Sequence, residues 1–343
     1  MSTGYVYDPI FLEHDLRGHP ESRDRLWRAV QFLRDQRITE QMMPIPAVPI
    51  SRRYLEMNHS AAYIDLVAEV AASGGGYLDP DTYVVPRTYE AACFAAGGVL
   101  AAALAVLRGD VDNAICLVRP PGHHALRNRG MGFCIFNNIA VAAHAVLADG
   151  LAKRILIVDF DVHHGNGTQA SFYNRSDVLF FSTHQYPYYP GTGSIYEIGE
   201  GPGRGYTINV PLPPGAGDST MRTIFEQVLW PAARRFVPDL MLVSAGYDAH
   251  WSDPLASLAL SLRGYAWICR ELVKMAKKIC GGRIVFTLEG GYHPEVLPRA
   301  VYNTCRALLR LPEDGDLDPL GPSPRSEPSL NALIRSLREA HGL

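Results

Sequence analysis

The segment at residues 155–167 constrains the fold more than any other part of the sequence. It reads Ile-Leu-Ile-Val-Asp-Phe-Asp-Val-His-His-Gly-Asn-Gly, an apolar run followed by carboxylates and imidazoles. Such a run is typical of a buried parallel strand, whose carboxyl end is where open α/β sheets bind ligands. Asp161 and His163 are two residues apart, so their side chains point the same way from an extended backbone. The pair is therefore a candidate for binding one metal ion.

Strands and helices alternate along the chain, which predicts the fold class. Buried apolar runs predict strands at 113–118, 154–160, 177–183, 206–211, 239–245 and 283–289. The segments between them predict helices that begin near Pro20, Ser51 and Thr88, and helices at 137–148, 218–235, 261–280 and 298–310. This alternation predicts an α/β protein with a mostly parallel sheet covered by helices on both faces.

The predicted strands end in turns that contain glycine and reactive side chains, at 119–124, 159–167, 246–248 and 289–292. Because the carboxyl ends of parallel strands meet at one edge of a sheet, we expect a single site built from these turns. One domain is expected over residues 1–311. The segment 312–343 is rich in proline, aspartate and serine near its start, which predicts an irregular tail that could hold a short helix.

Composition excludes several classes of protein. The chain is 47% hydrophobic and 20% charged, as folded proteins are, and its formal net charge of −3 gives no support for direct nucleic-acid binding. The longest apolar stretch, 91–107, is expected to be too short to span a membrane, and the start of the chain lacks secretory-signal features. The six cysteines form no CxxC pair, which disfavours a thiolate zinc site and is typical of a reducing compartment. We therefore expect a cytoplasmic protein.

Asp161, His163 and Asp248 are predicted to bind one divalent cation. Asp248 follows a buried strand and a tight glycine turn, although a loop or N-cap aspartate is the simpler interpretation of that residue alone. A catalytic zinc takes three protein ligands and leaves a position for water, so Zn²⁺ is the first choice, with Fe²⁺ or Co²⁺ as alternatives. Two carboxylates reduce the charge on the metal, so its water needs a base nearby.

Two adjacent histidines, His123 and His124, follow Arg-Pro-Pro-Gly, whose proline and glycine fix the geometry of a turn at the same predicted sheet edge. Each ring needs a partner on its second nitrogen; Asp159 and Asn166 are the candidates, with the pairing open. An aspartate raises the pKa of an imidazole more than an asparagine does, so one histidine can accept a proton while the other polarises or donates.

Tyr292 follows two glycines, which let the backbone turn its ring toward the predicted site. Its phenol could donate a hydrogen bond to a carbonyl oxygen as that oxygen gains charge. The alternative is a half-buried core tyrosine, which is common in a chain with 17 tyrosines.

Several motifs resemble those of the zinc-dependent histone deacetylase and acetylpolyamine amidohydrolase family. They are Arg-Pro-Pro-Gly-His-His at 119–124, Gly-Phe-Cys-Ile-Phe-Asn-Asn at 132–138, Asp-Phe-Asp-Val-His-His-Gly-Asn-Gly at 159–167, Ser-Ala-Gly-Tyr-Asp at 244–248 and Leu-Glu-Gly-Gly-Tyr at 288–292. The resemblance runs from about residue 5 to residue 310, with the motifs in matching order. It implies an arginase-like three-layer fold with about eight mostly parallel strands. Asn166 makes the chain most similar to the class II branch and its bacterial relatives.

The resemblance also implies roles for individual residues. Zinc would be held by Asp161, His163 and Asp248. The catalytic set would be His124 as general base and acid, His123 paired with Asp159 as electrostatic helper, Asn166, and Tyr292 as donor to the substrate carbonyl. Phe133 and Tyr189 would form the walls of the tunnel for the acyl-lysine chain, and Gly132 would be a backbone contact to the substrate amide. Leu255 would stand at the substrate-binding gatekeeper position, and Arg25 would lie below the metal near the path by which acetate leaves.

Structural potassium ions are a further implication of the resemblance. The first would be held by Asp159, Asp161, His163, Ser182 and Thr183. The second would lie near Phe172, Arg175, Val178 and Tyr206.

The predicted function is hydrolysis of an N-acetyl amide on the ε-amino group of lysine or a similar primary amine. An acetylated polyamine is the alternative substrate, but Leu255 stands where the polyamine-selective family member carries glutamate. A dinuclear manganese site of the arginase type is disfavoured, because Gly165 and His250 stand where second-metal carboxylates are required. A non-catalytic acyl-lysine binder is a third alternative. The sequence does not indicate an oligomeric state.

Overall fold

Eight parallel strands form the central sheet of the computed structural model, which describes residues 2–312 and 318–343. The strands of these residues are β1 (Thr3–Val6), β2 (Met43–Pro44), β3 (Gly76–Asp79), β4 (Thr82–Val84), β5 (Asn113–Cys116), β6 (Ile155–Asp159), β7 (Val178–Gln185), β8 (Thr207–Leu212), β9 (Leu240–Ala245) and β10 (Ile284–Leu288). Across the sheet the order is β2-β1-β5-β10-β9-β6-β7-β8. Strands β3 and β4 form a separate antiparallel hairpin.

Helices fill the connections between these strands. They are α1 (Arg23–Asp35), α2 (Arg52–Asn58), α3 (Ala61–Ala72), α4 (Thr88–Arg108), α5 (Asn138–Ala148), α6 (Asn166–Phe172), α7 (Asp218–Ile224), α8 (Trp230–Phe236), α9 (Leu262–Ile279), α10 (Val296–Leu308) and α11 (Asn331–His341). Short 3₁₀ segments lie at Pro9–Leu12, Ile38–Gln41 and Gly201–Gly203, and a π-helical turn, Phe225–Leu229, joins α7 to α8.

The middle of the sheet is covered on both faces. Every residue of β6, β7, β9 and β10 is buried, whichever face its side chain points to. Helix α4 packs on α5, while α9 packs on α10 and α10 on α1. The predicted fold class, a mostly parallel sheet between helical layers, is confirmed.

Most predicted elements end within three residues of the observed ones, which is the ordinary uncertainty of element boundaries. The sequence analysis missed β1 and the edge strand β2, because both are too short to show an apolar run. It also missed the hairpin of β3 and β4. The helix predicted at 218–235 is interrupted by the π-helical turn.

The strand register brings the polar turns to one edge of the sheet. Asp159, the last residue of β6, pairs with Ser244 on β9 and Ser182 on β7. Asp161 and Asp248 follow β6 and β9 within three residues, so the two carboxylates arrive at the same edge from segments far apart in sequence.

Helix α4 is the one helix in the described residues that is long and apolar enough to cross a membrane by length and composition. The expectation that this stretch is too short is wrong, because the helix continues through Thr88–Arg108. In the fold, 67% of its most apolar window is buried, as in the core helix of an α/β protein.

The segment after residue 318 packs on the rest of the chain. Leu337 of α11 is fully buried, and the Trp251 indole donates a hydrogen bond to the Gly321 carbonyl at 3.0 Å. The Glu327 carboxylate accepts hydrogen bonds of 2.8–3.0 Å from the free backbone N–H groups at the start of α7, those of Gly217, Ser219 and Thr220. The division at residue 311 stays a prediction, and residues 313–317 of the predicted tail lie outside the described residues.

Replacing Glu327 by glutamine is expected to lower the free energy of unfolding by about 1 kcal/mol at neutral pH, the usual contribution of a helix cap. Burial raises the pKa of Glu327, but the backbone N–H groups of Ser219 and Thr220 outweigh it and hold the pKa below its usual value. The carboxylate therefore stabilises the fold fully above about pH 4.3, and this contribution disappears as the pH falls through the folded-state pKa. Urea denaturation of both proteins at neutral and acid pH measures the difference. Equal stability at neutral pH would contradict the capping role.

Candidate metal centre and active site

Asp161, His163 and Asp248 meet at the carboxyl edge of the sheet. Their ligand atoms all lie within 4.8 Å of one another. His163 Nδ1 is 3.2 Å from Asp161 Oδ1 and 3.4 Å from Asp248 Oδ2. Asp248 Oδ2 is buried and has no hydrogen-bond partner among the described residues. An orphaned carboxylate oxygen beside an imidazole and a second carboxylate fits a divalent cation, as predicted for these residues.

Backbone N–H groups fix how the two carboxylates point. Asp161 Oδ2 accepts a hydrogen bond from the Gly290 N–H, and Asp248 Oδ1 accepts one from the Val162 N–H, both at 2.9 Å. A side chain at Gly290 would collide with both carboxylates, which explains glycine there. Burial and the charge of Asp161 raise the pKa of Asp248, so the pair is under electrostatic strain that a cation would relieve.

A second group, His123, Cys134 and Glu289, also has a spacing that could hold a metal. Glu289 is already engaged, because its carboxylate accepts hydrogen bonds from the Gly122 N–H at 2.7 Å and the Ser244 hydroxyl at 3.0 Å. Burial raises the pKa of the Cys134 thiol well above its usual value, which disfavours a thiolate ligand. The first group is therefore the better metal site.

The structure resolves the pairing of the tandem histidines. His123 Nδ1 is 3.0 Å from Asp159 Oδ2, and His124 Nδ1 is 2.8 Å from Asn166 Oδ1. The two rings lie 4.0 Å apart. Asn166 is the first residue of α6, so the helix that follows β6 carries the partner of His124.

The two histidines are electrostatically unequal. Burial alone would lower the pKa of His123, but the carboxylates of Asp159 and Asp161 raise it to about 10. Burial lowers the pKa of His124 well below its usual value, and positive charge on His123 and His163 lowers it further. His124 is therefore the neutral member of the pair.

Tyr292 lies beside Arg25 and lines the same cavity as His124 and His163. The Arg25 guanidinium is 4.7 Å from the centre of the Tyr292 ring and donates hydrogen bonds to the carbonyls of Gly291 and Glu289 at 2.7 and 2.8 Å. Burial raises the pKa of the Tyr292 phenol well above its usual value, although Arg25 opposes this shift. The phenol stays protonated at neutral pH and can act as a hydrogen-bond donor.

The predicted tunnel residues line one cavity of about 520 Å³. Its walls include Gly132, Phe133, Tyr189 and Leu255, together with His123, His124, His163 and Tyr292. Phe133 has a φ of 69°, a left-handed conformation that is costly for a bulky side chain and is concentrated at functional sites. Its backbone N–H donates to the Thr82 hydroxyl, which ties this wall to β4.

The residues predicted to hold potassium lie in two places. Ser182 and Thr183 of β7 stand beside Asp159, and Asp161 and His163 follow at the same edge. The second set is at the opposite edge, since Val178 begins β7, Tyr206 precedes β8, and Phe172 and Arg175 lie in the connection before β7. The Arg175 guanidinium is a cation without an acceptor atom and is paired with Asp177, so only the main-chain carbonyl of Arg175 could bind a cation. The potassium sites stay a prediction.

The sequence analysis missed Asp253. This side chain is 5% exposed; Oδ2 accepts a hydrogen bond from the Tyr292 N–H at 2.8 Å, and Oδ1 accepts one from the Leu255 N–H at 3.0 Å. One carboxylate thus holds both the phenol-bearing turn and the segment that carries a tunnel wall. Burial and the charge of Asp248 raise its pKa to about 7. Its position five residues after a predicted ligand is a signal that could have suggested a role.

It also missed the buried ion pair of Glu21 and Arg119. Arg119 Nη2 lies 2.6 Å from Glu21 Oε2, and neither side chain is exposed. Glu21 also pairs with Arg25 at 2.8 Å. This network joins the start of the chain to the turn that carries the two histidines.

Fold and site together define an α/β protein with a buried centre suited to one metal ion. The sequence profile of the histone deacetylase domain matches residues 19–308. A probable deacetylase of Archaeoglobus fulgidus is 44% identical over 299 residues, 86% of this chain and 82% of that protein. A histone deacetylase-like amidohydrolase of Pseudomonas aeruginosa is 40% identical over 284 residues, 82% of this chain and 74% of that protein. The crystal structure of the HDA15 HD domain superposes with a TM-score of 0.88 at 33% identity, covering 99% of this chain and 95% of that one.

The chain therefore belongs to the histone deacetylase family and is a hydrolase of acetyl amides. Three predictions are thereby confirmed: the family resemblance of the sequence motifs, the arginase- and deacetylase-like fold, and the assignment of the chain as a deacetylase.

Replacing Asp253 by asparagine is expected to lower kcat for an acetyl amide about tenfold or more, because one of two N–H groups loses its acceptor and Tyr292 shifts. Metal content should not change. In a Tyr292→Phe background the same replacement should have little further effect on kcat, because both act through one phenol.

Asp218→Asn is the matched control, since Asp218 accepts hydrogen bonds from the Ser261 N–H and hydroxyl away from the cavity. It should change stability but not kcat. Additive losses of kcat in the double variant would contradict the role of Asp253.

Proposed function

We propose that this protein is a zinc-dependent amidohydrolase that removes acetyl groups from the ε-amino group of lysine or a similar primary amine. The observation that carries the proposal is the cluster of Asp161, His163 and Asp248 next to a cavity whose wall also contains His124 and Tyr292. A metal site, a neutral base and a phenol donor at the end of one cavity are the groups that amide hydrolysis needs.

Zinc is the proposed ion, because one imidazole and two carboxylates suit it and leave a position open. When bound, it supplies Lewis acidity to the substrate carbonyl and to water. Fe²⁺ fits the same donors and is the alternative.

His124 is the proposed general base. Its Nδ1–H donates to Asn166 Oδ1, while the Asn166 amide group faces Met131 Sδ at 3.5 Å. This arrangement leaves Nε2 of His124 with a free lone pair. Because the ring is neutral, Nε2 can take a proton from the attacking water and later give it to the leaving amine.

His123 and Tyr292 are proposed to stabilise charge. The Nδ1–H of His123 donates to Asp159, which holds the ring positively charged beside His124. That charge favours transfer of the proton from His124 to the amine. The Tyr292 phenol donates a hydrogen bond to the carbonyl oxygen as negative charge develops there.

The cavity walls support a slender substrate such as an acetyl-lysine side chain. Phe133 and Tyr189 supply aromatic faces that suit a methylene chain, and Leu255 offers no charge to an inner ammonium group. Asp79 and Asp81 also line the cavity, and their negative charges keep an acetylated polyamine as the alternative substrate. A non-catalytic acyl-lysine binder is less favoured, because each proposed catalytic group is in place.

The same proposal includes structural potassium at the two predicted sites, a cytoplasmic location and a single catalytic domain that ends near residue 311. The Ser182 hydroxyl, which is bonded to His184 Nδ1 at 2.9 Å, keeps a lone pair for the first ion.

A hydrolysis assay with and without a chelator tests the proposal. Its substrates are an acetyl-lysine peptide, acetylputrescine, acetylspermidine and longer acyl-lysine peptides. We expect the acetyl-lysine peptide to have the highest kcat/KM and the chelator to abolish turnover until zinc is restored. His124→Ala and Tyr292→Phe should each lower kcat by about 10²-fold or more with zinc content unchanged.

Tyr302→Phe, which removes a phenol on α10 away from the cavity, is the control and should keep full activity. Full activity of His124→Ala would overturn the mechanism. A higher kcat/KM for acetylspermidine than for the acetyl-lysine peptide would identify acetylated polyamines as the substrate instead.

A further inference from the structure

A cavity lined by three arginines lies at the amino edge of the sheet, opposite the metal centre. It has a volume of about 290 Å³. Arg154 enters it just before β6, Arg204 from the turn before β8, and Arg235 from the end of α8. The three side chains are exposed to solvent, which screens their mutual repulsion, but three positive charges around one concave site favour an anion there.

The arginines are not neutralised by carboxylates. The Arg204 side chain has no hydrogen bond or ion pair within the described residues, and the Arg154 guanidinium lies 5.9 Å from the centre of the Phe236 ring. Arg235 donates to the carbonyls of His341 and Gly342, which leaves most of its N–H groups unused. Asp239 does not line the cavity; its Oδ2 accepts hydrogen bonds from the backbone N–H groups of Lys153 and Arg154 at 2.8 and 2.9 Å rather than from a guanidinium group.

The other polar side chains of the cavity are also donors. Ser176 and Tyr206, whose hydroxyls can donate hydrogen bonds, line it together with Phe236. No carboxylate lines the cavity in the part of the chain that the structure describes. A ligand with several acceptor oxygens and negative charge satisfies this set, whereas a cation or an apolar molecule does not.

The surrounding edge of the sheet is basic although the whole chain is not. Nine Lys or Arg but only four Asp or Glu occur in 149–154, 173–177, 200–206, 234–239 and 277–283. Over the whole chain, 32 basic residues face 35 acidic ones. The excess of basic residues in these segments around the cavity favours an anion there.

From these observations we propose that the cavity formed by Arg154, Arg204, Arg235, Ser176 and Tyr206 binds a compact phosphate monoester. Guanidinium groups match phosphate oxygens through paired N–H donors, and the hydroxyls complete the contacts. The volume is at the small end of ligand sites, so it suits a phosphorylated metabolite rather than a nucleic-acid strand. The site shares Tyr206 with the second predicted potassium site but none of its lining residues with the proposed metal centre or the substrate cavity.

Calorimetric titration of the full, metal-loaded protein with adenosine monophosphate tests the proposal, with adenosine as the control that lacks the phosphate. We expect saturable binding of one molecule of the monophosphate per chain and none of adenosine. Arg204→Gln and Arg154→Gln should each weaken binding about tenfold or more, because each removes a charged donor pair. Removing the metal with a chelator should leave binding unchanged, which separates this cavity from the metal centre.

Arg234→Gln is the matched control, because Arg234 is on the same helix but lies 4.9 Å from the Trp230 ring centre, outside the cavity. It changes the net charge equally and should alter binding less than twofold. Absence of saturable binding at about millimolar concentration, or equal weakening by Arg234→Gln and Arg204→Gln, would overturn the proposal. The second result would show only diffuse attraction to the basic edge.

Discussion

Buried carboxylates at the carboxyl edge of the sheet are the constraint on which the site depends. Asp159, Asp161, Asp248 and Glu289 are each at most 1% exposed. An unpaired buried charge costs several kcal/mol, so every one of these oxygens needs a donor or a cation. Backbone N–H groups, two histidines and the Ser244 hydroxyl donate hydrogen bonds to most of these oxygens. Asp248 Oδ2 has no hydrogen-bond partner among the described residues and is available to a metal ion. A divalent cation held by Asp161, His163 and Asp248 would complete the charge balance of the cluster.

A second buried ionic network, formed by Glu21, Arg119 and Arg25, fixes the turns that carry the site. Glu21 binds both Arg119 and Arg25, and Arg25 in turn donates to the main chain on either side of Gly290. The turn with the two histidines and the turn with Tyr292 are therefore held by one frame. Because its members lie on separate segments, a change at any of them should move groups on both sides of the cavity.

The sequence predicts those parts of the site whose residues lie close together along the chain. An apolar strand followed by Asp161 and His163 predicts a metal site, since strand, turn and ligands lie within one segment. The residues alone left open which histidine pairs with Asp159 and which with Asn166, because this depends on ring orientation and on where α6 begins; only the family resemblance implied the pair of His123 and Asp159. Asp253 was missed for a similar reason, since its hydrogen bonds come from N–H groups brought together only by the fold. Short β1 and the β3–β4 hairpin lacked the apolar runs that revealed the central strands.

X-ray absorption at the zinc edge of the loaded protein tests the central claim most directly. Ligation by Asp161, His163 and Asp248 predicts one zinc per chain with only oxygen and nitrogen neighbours, at about 2.0–2.2 Å. A sulfur neighbour at about 2.3 Å would place the metal on Cys134, His123 and Glu289 and would contradict the account.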